Sequence, residues 1–268
     1  MALTLDHIVI AVKDLEQTIA DYRALGFNVL QGGDHPGRPT YNALVVFADG
    51  SYFELIAWRS PSPGERWWEL LNAHGDGIVD FALLPPDTAT TVAGAKDRGL
   101  AYSGPHDGGR VRPDGERLQW QTARPPSHDL PFLCGDQTPR ALRVPEGDAR
   151  VHPNGARGVA SLALAVKDLD ASLAHYRALL GQAQAANVSA PFLQPGTGAR
   201  VGTVTLGRST LVLTQEGPLR GAAGQSAGAQ LGTRGEGPYA LVLATEGAAP
   251  ATPHTARTHG AAIEFAVA

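Results

Sequence analysis

Hydrophobic and polar positions first pick out a short β-strand at the start of the chain. In Leu5-Asp6-His7-Ile8-Val9-Ile10-Ala11-Val12 most residues are apolar and several are β-branched, as strands prefer. Strict alternation sets Leu5, His7, Val9 and Ala11 on one face and Asp6, Ile8, Ile10 and Val12 on the other. A helix follows, with Asp14 as N-cap and Gln17 three residues on. Runs of strand formers recur at 27–30, 42–47 and 52–57, and Asp49-Gly50 supplies a hairpin turn between the last two. The predicted unit is one strand, one helix, then three strands.

The unit repeats. Val12-Lys13-Asp14-Leu15 returns as Val166-Lys167-Asp168-Leu169, and Tyr22-Arg23-Ala24-Leu25 returns as Tyr176-Arg177-Ala178-Leu179, both 154 residues later. A weaker copy starts at 78–84, with a helix after Asp87 and later strands at 117–122 and 130–134. A fourth copy starts at 239–243 and reaches only one more strand, 262–267. The Pro- and Gly-containing stretch 145–157 reads as a linker, and 217–237, rich in Gly, Ala and Gln, as a loose surface excursion. The expected layout is a first domain over 1–144, with units of about 1–60 and 74–144. An abbreviated second domain is expected over 158–268.

Composition narrows the class. A chain of 268 residues with 43% hydrophobic content can bury a substantial core. The net charge of −4, without long runs of one sign, gives nucleic acid or an anionic membrane nothing to bind. Cys134 is the single cysteine, so no internal disulfide forms and a reducing compartment is expected. The first strand begins too early to leave room for a leader, and no apolar run approaches membrane-span length. A cytoplasmic small-molecule protein, monomer or homodimer, is the expectation.

Tandem strand-helix-three-strand units with a histidine in the first strand resemble the vicinal oxygen chelate superfamily, which includes glyoxalase I, extradiol dioxygenases and bleomycin-resistance proteins. Within it the chain is most similar to the glyoxalase-like domain family. The matching stretches include Gly32-Gly33-Asp34-His35-Pro36, Thr40-Tyr41-Asn42-Ala43-Leu44, Tyr52-Phe53-Glu54-Leu55-Ile56, Leu130-Pro131-Phe132 and His152-Pro153-Asn154-Gly155-Ala156. The resemblance implies an α+β fold in which paired βαβββ units form curved, open sheets. It also implies metal ligands on the first and last strands of each unit.

Carried over residue by residue, this makes His7, Glu54 and Asp80 the candidate metal ligands. Imidazole and carboxylate suit a divalent ion such as Zn, Fe, Mn or Ni. The fourth position is expected near Cys134 or Asp136. Glu54 is also the candidate catalytic base, because an ionised carboxylate in an apolar strand needs a cation or a hydrogen-bond donor. His35 and Asn42 flank the loop 32–40, expected over the cup mouth, and are candidate substrate contacts. In the second domain His7 maps to Ser161 and Glu54 to Leu211, so no site is expected there. Trp58, Trp67 and Trp68 are read as packing between units. His128 and His152 are read as exposed, Cys134 as an inert buried thiol, and His254 and His259 as carrying little weight. The implied function is a metal-assisted lyase or isomerase acting on a substrate with adjacent oxygens. The alternative is a non-catalytic binding protein like the bleomycin-resistance proteins, with a ring-cleaving dioxygenase ranked last.

Overall fold

The computed structural model describes residues 2–112, 115–217 and 227–267. The first unit comprises β1 (Thr4–Ala11), α1 (Leu15–Ala24), β2 (Leu30–Asp34), β3 (Thr40–Val46) and β4 (Tyr52–Trp58). Helix α2 (Arg66–His74) leads into the second, β5 (Gly77–Leu84), α3 (Thr88–Asp97), β6 (Ser103–Val111), β7 (Arg117–Arg124) and β8 (Phe132–Asp136). A single helical turn, α4 (Arg140–Arg143), precedes β9 (Ala156–Ala165), α5 (Leu169–Leu180), β10 (Phe192–Leu193), β11 (Arg200–Leu206) and β12 (Ser209–Gln215). The chain closes with α6 (Ala227–Thr233), β13 (Gly237–Thr245) and β14 (Ala262–Val267).

Asp14, Asp87 and Asp168 begin α1, α3 and α5 in the same way. Each carboxylate accepts a backbone N–H three residues on, at 3.0, 2.7 and 3.0 Å, a contact worth about 1 kcal/mol per helix. Asp49-Gly50 turns β3 into β4 as the sequence predicts: Gly50 has φ +84° and donates to the Phe47 carbonyl.

One eight-stranded sheet runs β2-β3-β4-β1-β5-β8-β7-β6, and a six-stranded sheet runs β10-β11-β12-β9-β13-β14. The fold is therefore the α+β arrangement of curved mixed sheets that the resemblance implied. In the larger sheet β1 lies parallel to β4 and antiparallel to β5, which puts the centre of a pseudo-twofold between the two units. Its edge strands curl toward one another, and Arg110 of β6 donates to the Gly32 carbonyl of β2 across the gap.

Alternation holds along β1 except at Asp6. Pairing with β5 shifts between Leu5 and His7, and Leu5 packs with Ile8 and Ile10 in the main core rather than sharing a face with His7. That core also takes in Leu162, Leu213 and Leu241 of the smaller sheet. Val9 and Ala11 face the other way, with Ile56, Ala82 and Phe132.

Three details differ from the sequence reading. The strand expected at 27–30 begins only at Leu30 and takes in the first residues of the expected loop. Part of the surface excursion, 227–233, is helix α6; residues 218–226 of it lie outside the described residues. His152 is buried, not exposed: its Nδ1 accepts the Asn28 N–H at 2.9 Å and its Nε2 lies 2.9 Å from the Val46 carbonyl. His128 is exposed, as expected.

Candidate functional site

The concave face of the larger sheet encloses a cavity of about 370 Å³, within the range of small-molecule sites. His7 and Glu54 both line it. They stand on adjacent parallel strands, His7 beside Tyr52 and Glu54 beside Val9. Two-residue periodicity turns both side chains to the concave face. His7 Nε2 lies 3.6 Å from Glu54 Oε2, too long for a direct hydrogen bond but short enough for one ligand atom to touch both.

His7 is held from behind. Its Nδ1 is 2.7 Å from Asp6 Oδ2, and its ring stacks on Tyr52 at 4.6 Å. With Nδ1 engaged by Asp6, Nε2 is the ring nitrogen left facing Glu54 and the cavity. Asp6 has no solvent exposure and is gripped by Arg143 at 2.9 Å and Arg140 at 2.7 Å. Burial alone would raise the Asp6 carboxyl, but Arg143, His7 and Arg140 outweigh it and hold it well below the usual carboxylate range. Arg143 also donates to the Tyr52 hydroxyl at 2.7 Å and to Asp136.

Glu54 is held from the side. Asn42 Nδ2 donates to Oε1 at 2.6 Å, and His35 Nε2 lies 3.6 Å from the same oxygen. His35 Nδ1 is 2.7 Å from the Thr40 hydroxyl, and burial pushes the imidazole toward its neutral form. Gly32 is required beside this group, since a Cβ there would sit 1.9 Å from Asn42 Oδ1. The sequence-selected His7, His35, Asn42 and Glu54 thus meet on one wall.

Asp80 is elsewhere. Its Oδ2 accepts the Trp67 indole N–H at 2.9 Å and lies 3.7 Å from both Arg66 and Arg124. Pairing also corrects two equivalences. Val9 pairs with Asp80 and His7 with Ala82, so Asp80 is the counterpart of His7 and Ala82 of Val9. Glu54 pairs with Val9 and Phe132 with Ala82, which makes Phe132 the counterpart of Glu54; neither Cys134 nor Asp136 holds that position. In the smaller sheet Ala163 pairs with Val212, so Glu54 corresponds to Val212 rather than Leu211. Ser161 and Val212 offer no ligand pair, and the expectation that the site residues are missing there is unaffected.

These side chains do not fit a resident metal. Of the four pseudo-symmetric positions, Phe132 has no donor atom and Asp80 is committed to an indole and two guanidiniums. Cys134 nearby is a buried thiol that burial pushes up to about 12. Among the described residues no three His, Cys, Asp or Glu side chains are grouped to hold an ion.

Other residues at the cavity escaped the sequence reading. Trp58 and Trp67 line it together with Trp120 and Phe132, so two of the three tryptophans assigned to packing between units belong to its wall. Arg110 and Arg143 line it too. His259 is a tether: it lies 3.1 Å from Asp21 and 2.9 Å from Asp76, joining the last part of the chain to both units of the first domain.

Paired βαβββ units whose sheet curls around one concave cavity make a glyoxalase-like fold. The glyoxalase-like domain family matches residues 5–180, and the chain belongs to that family. A hypothetical protein from Staphylococcus aureus is similar in structure, with TM-score 0.71 and 12% identity over 99% of this chain and 100% of that one. A mutant of 4-hydroxymandelate synthase from Streptomyces coelicolor gives TM-score 0.62 and 16% identity over 92% and 72%. A xylose isomerase-like TIM barrel/4-hydroxyphenylpyruvate dioxygenase fusion protein gives 0.56 and 16% over 92% and 37%. No curated protein matches in sequence. Among the described residues no helix is long and apolar enough to cross a membrane.

Proposed function

We propose that the first domain binds a small molecule in the cup and that His7 and Glu54 exchange a proton with it. The reaction class is isomerase or lyase chemistry on a substrate with adjacent oxygens. The observation behind this reading is the 3.6 Å separation of His7 Nε2 and Glu54 Oε2 on the cavity wall, each with its far side hydrogen-bonded. Glu54 is the base that takes a proton from carbon beside a carbonyl, and His7 is the group that steadies or protonates the carbonyl oxygen. Asn42 and His35 hold Glu54 and contact the substrate. A divalent ion would find only His7 and Glu54 available, and no step is assigned to one.

A second reading, non-catalytic binding, draws on Phe132: an aromatic ring where a glutamate could stand suits sequestration of an apolar ligand. Phenylpyruvate in D₂O separates the two, because it carries an exchangeable C–H beside two adjacent oxygen-bearing carbons. Proton NMR is expected to show exchange above the uncatalysed rate, reduced at least about 100-fold in Glu54→Gln and His7→Ala. Binding without acceleration would favour sequestration. Acceleration unchanged in both variants would remove the site.

A further inference from the structure

Arg110 is a buried cation with no carboxylate in contact among the described residues, Glu54 acting on it only through space. It is 7% exposed and lines the cavity. Among the described residues its hydrogen-bond acceptor is the Gly32 carbonyl across the seam, reached through Nη1. Among the described residues no carboxylate lies within 4 Å of it, whereas Arg143 is paired with Asp6 and Asp136 and Arg124 lies near Asp80. A guanidinium out of water, with one carbonyl as partner, carries a desolvation cost that an anion at its free N–H edge would offset.

The wall beside it is aromatic. Gly108 lies two residues before Arg110 on β6, hence on the same strand face. A Cβ at Gly108 would come within 2.4 Å of Trp120 Nε1, so the missing side chain is what lets the indole lie against this strand. Phe132 completes the wall next to His7, its ring edge-on at 5.2 Å.

We infer that Arg110 anchors the carboxylate of a small aromatic acid, whose ring lies against Trp120 and Phe132 and whose far end reaches His7 and Glu54. The inference rests on the proposed small-molecule cup and adds the ligand's chemical class. A guanidinium presents its N–H groups in a planar fork that matches a carboxylate. A single charge is the match because one guanidinium faces it and Glu54 lines the same cavity.

The test compares phenylacetate with phenylacetamide, which has the same ring without the charge. Both are titrated by tryptophan fluorescence, since three of the four tryptophans line the cup, and by calorimetry. Wild type is expected to bind the acid at least tenfold more tightly than the amide. Arg110→Gln keeps a donor for the Gly32 carbonyl and is expected to erase that preference at an unchanged melting temperature; Arg110→Lys is expected to restore part of it. Equal binding of acid and amide by wild type, or a preference that survives in a folded Arg110→Gln, would overturn the inference and leave the cup reading intact. Failure of both probes to bind would overturn it as well. The cup reading is then judged separately, by the exchange loss in the His7 and Glu54 variants.

Discussion

Phe132 occupies in the second unit the strand position that Glu54 occupies in the first, each beside a counterpart residue, Ala82 and Val9. The substitution of a ring for a carboxylate removes one corner of a pseudo-symmetric ligand set and gives the cup an apolar wall. It also explains why His7 and Glu54 stand as a pair rather than as half of a closed coordination shell.

Restoring a donor there should create a metal site. Phe132→His would place an imidazole beside His7 and Glu54, giving three protein ligands, enough for an open divalent site. Calorimetric titration with Ni²⁺ or Zn²⁺ is expected to show at least tenfold tighter binding than wild type, with the gain lost when His7→Ala is added. No gain would mean the three positions do not converge.

The Asp6–Arg143 pair should carry much of the stability behind the site. Arg143→Met leaves a fully buried Asp6 with Arg140 as its remaining guanidinium. Removing one partner of a buried pair costs about 3–5 kcal/mol, and the lower end applies because Arg140 stays. Denaturant unfolding measures it; a loss well under about 1 kcal/mol would show the pair to be nearly neutral.

Acid should weaken the fold in two separate windows. Burial lowers the His152 and His35 imidazoles from 6.5 in the folded state, so the unfolded chain binds more protons as pH falls below 6.5 and stability drops there. Asp6 is held below its ordinary 3.8, so its contribution is present above 3.8 and lost only at lower pH. Unfolding free energies at pH 7.5, 6.5 and 5.5 are expected to decline, with a shallower slope in His152→Gln. A flat wild-type profile across that range would contradict the assignment.

The tail should be clasped to the first domain by His259. This residue has φ +51°, contacts Asp21 and Asp76, and follows Thr258, whose carbonyl accepts the Tyr22 hydroxyl at 3.1 Å. His259→Ala is expected to lose about 1–2 kcal/mol, two hydrogen bonds' worth, in thermal or denaturant unfolding. An unchanged transition would reduce the clasp to a surface contact.

How much of this was legible in the sequence follows the local physics. Continuous apolar runs such as 5–12 and the aspartate caps mark their elements because burial and capping act locally. Strand β6, Ser-Gly-Pro-His-Asp-Gly-Gly-Arg-Val, has no such signal; it is an edge strand whose Gly108 makes room for Trp120, and Arg110 was hidden with it. Helix α2 also went unnoticed, although Glu65 caps it by accepting the Trp67 and Trp68 N–H groups, and with it the cup-facing role of Trp67. The family resemblance supplied the His7 and Glu54 pairing, while mapping it onto the other units missed strand equivalence by a residue or two at Leu211 and Cys134, because loops differ in length between copies. His152 was misread because a Pro-rich connection looks solvent-exposed, whereas this one folds back on Phe27, Asn28, Val46 and Phe47 of the first unit.

Crystals soaked with phenylpyruvate and phenylacetate offer the most direct measurement of where this chain binds a small molecule. The account predicts density inside the cup, within contact distance of both His7 Nε2 and Glu54, and its loss in a folded Glu54→Gln His7→Ala double variant. Density that settles elsewhere while the cup stays empty would contradict it.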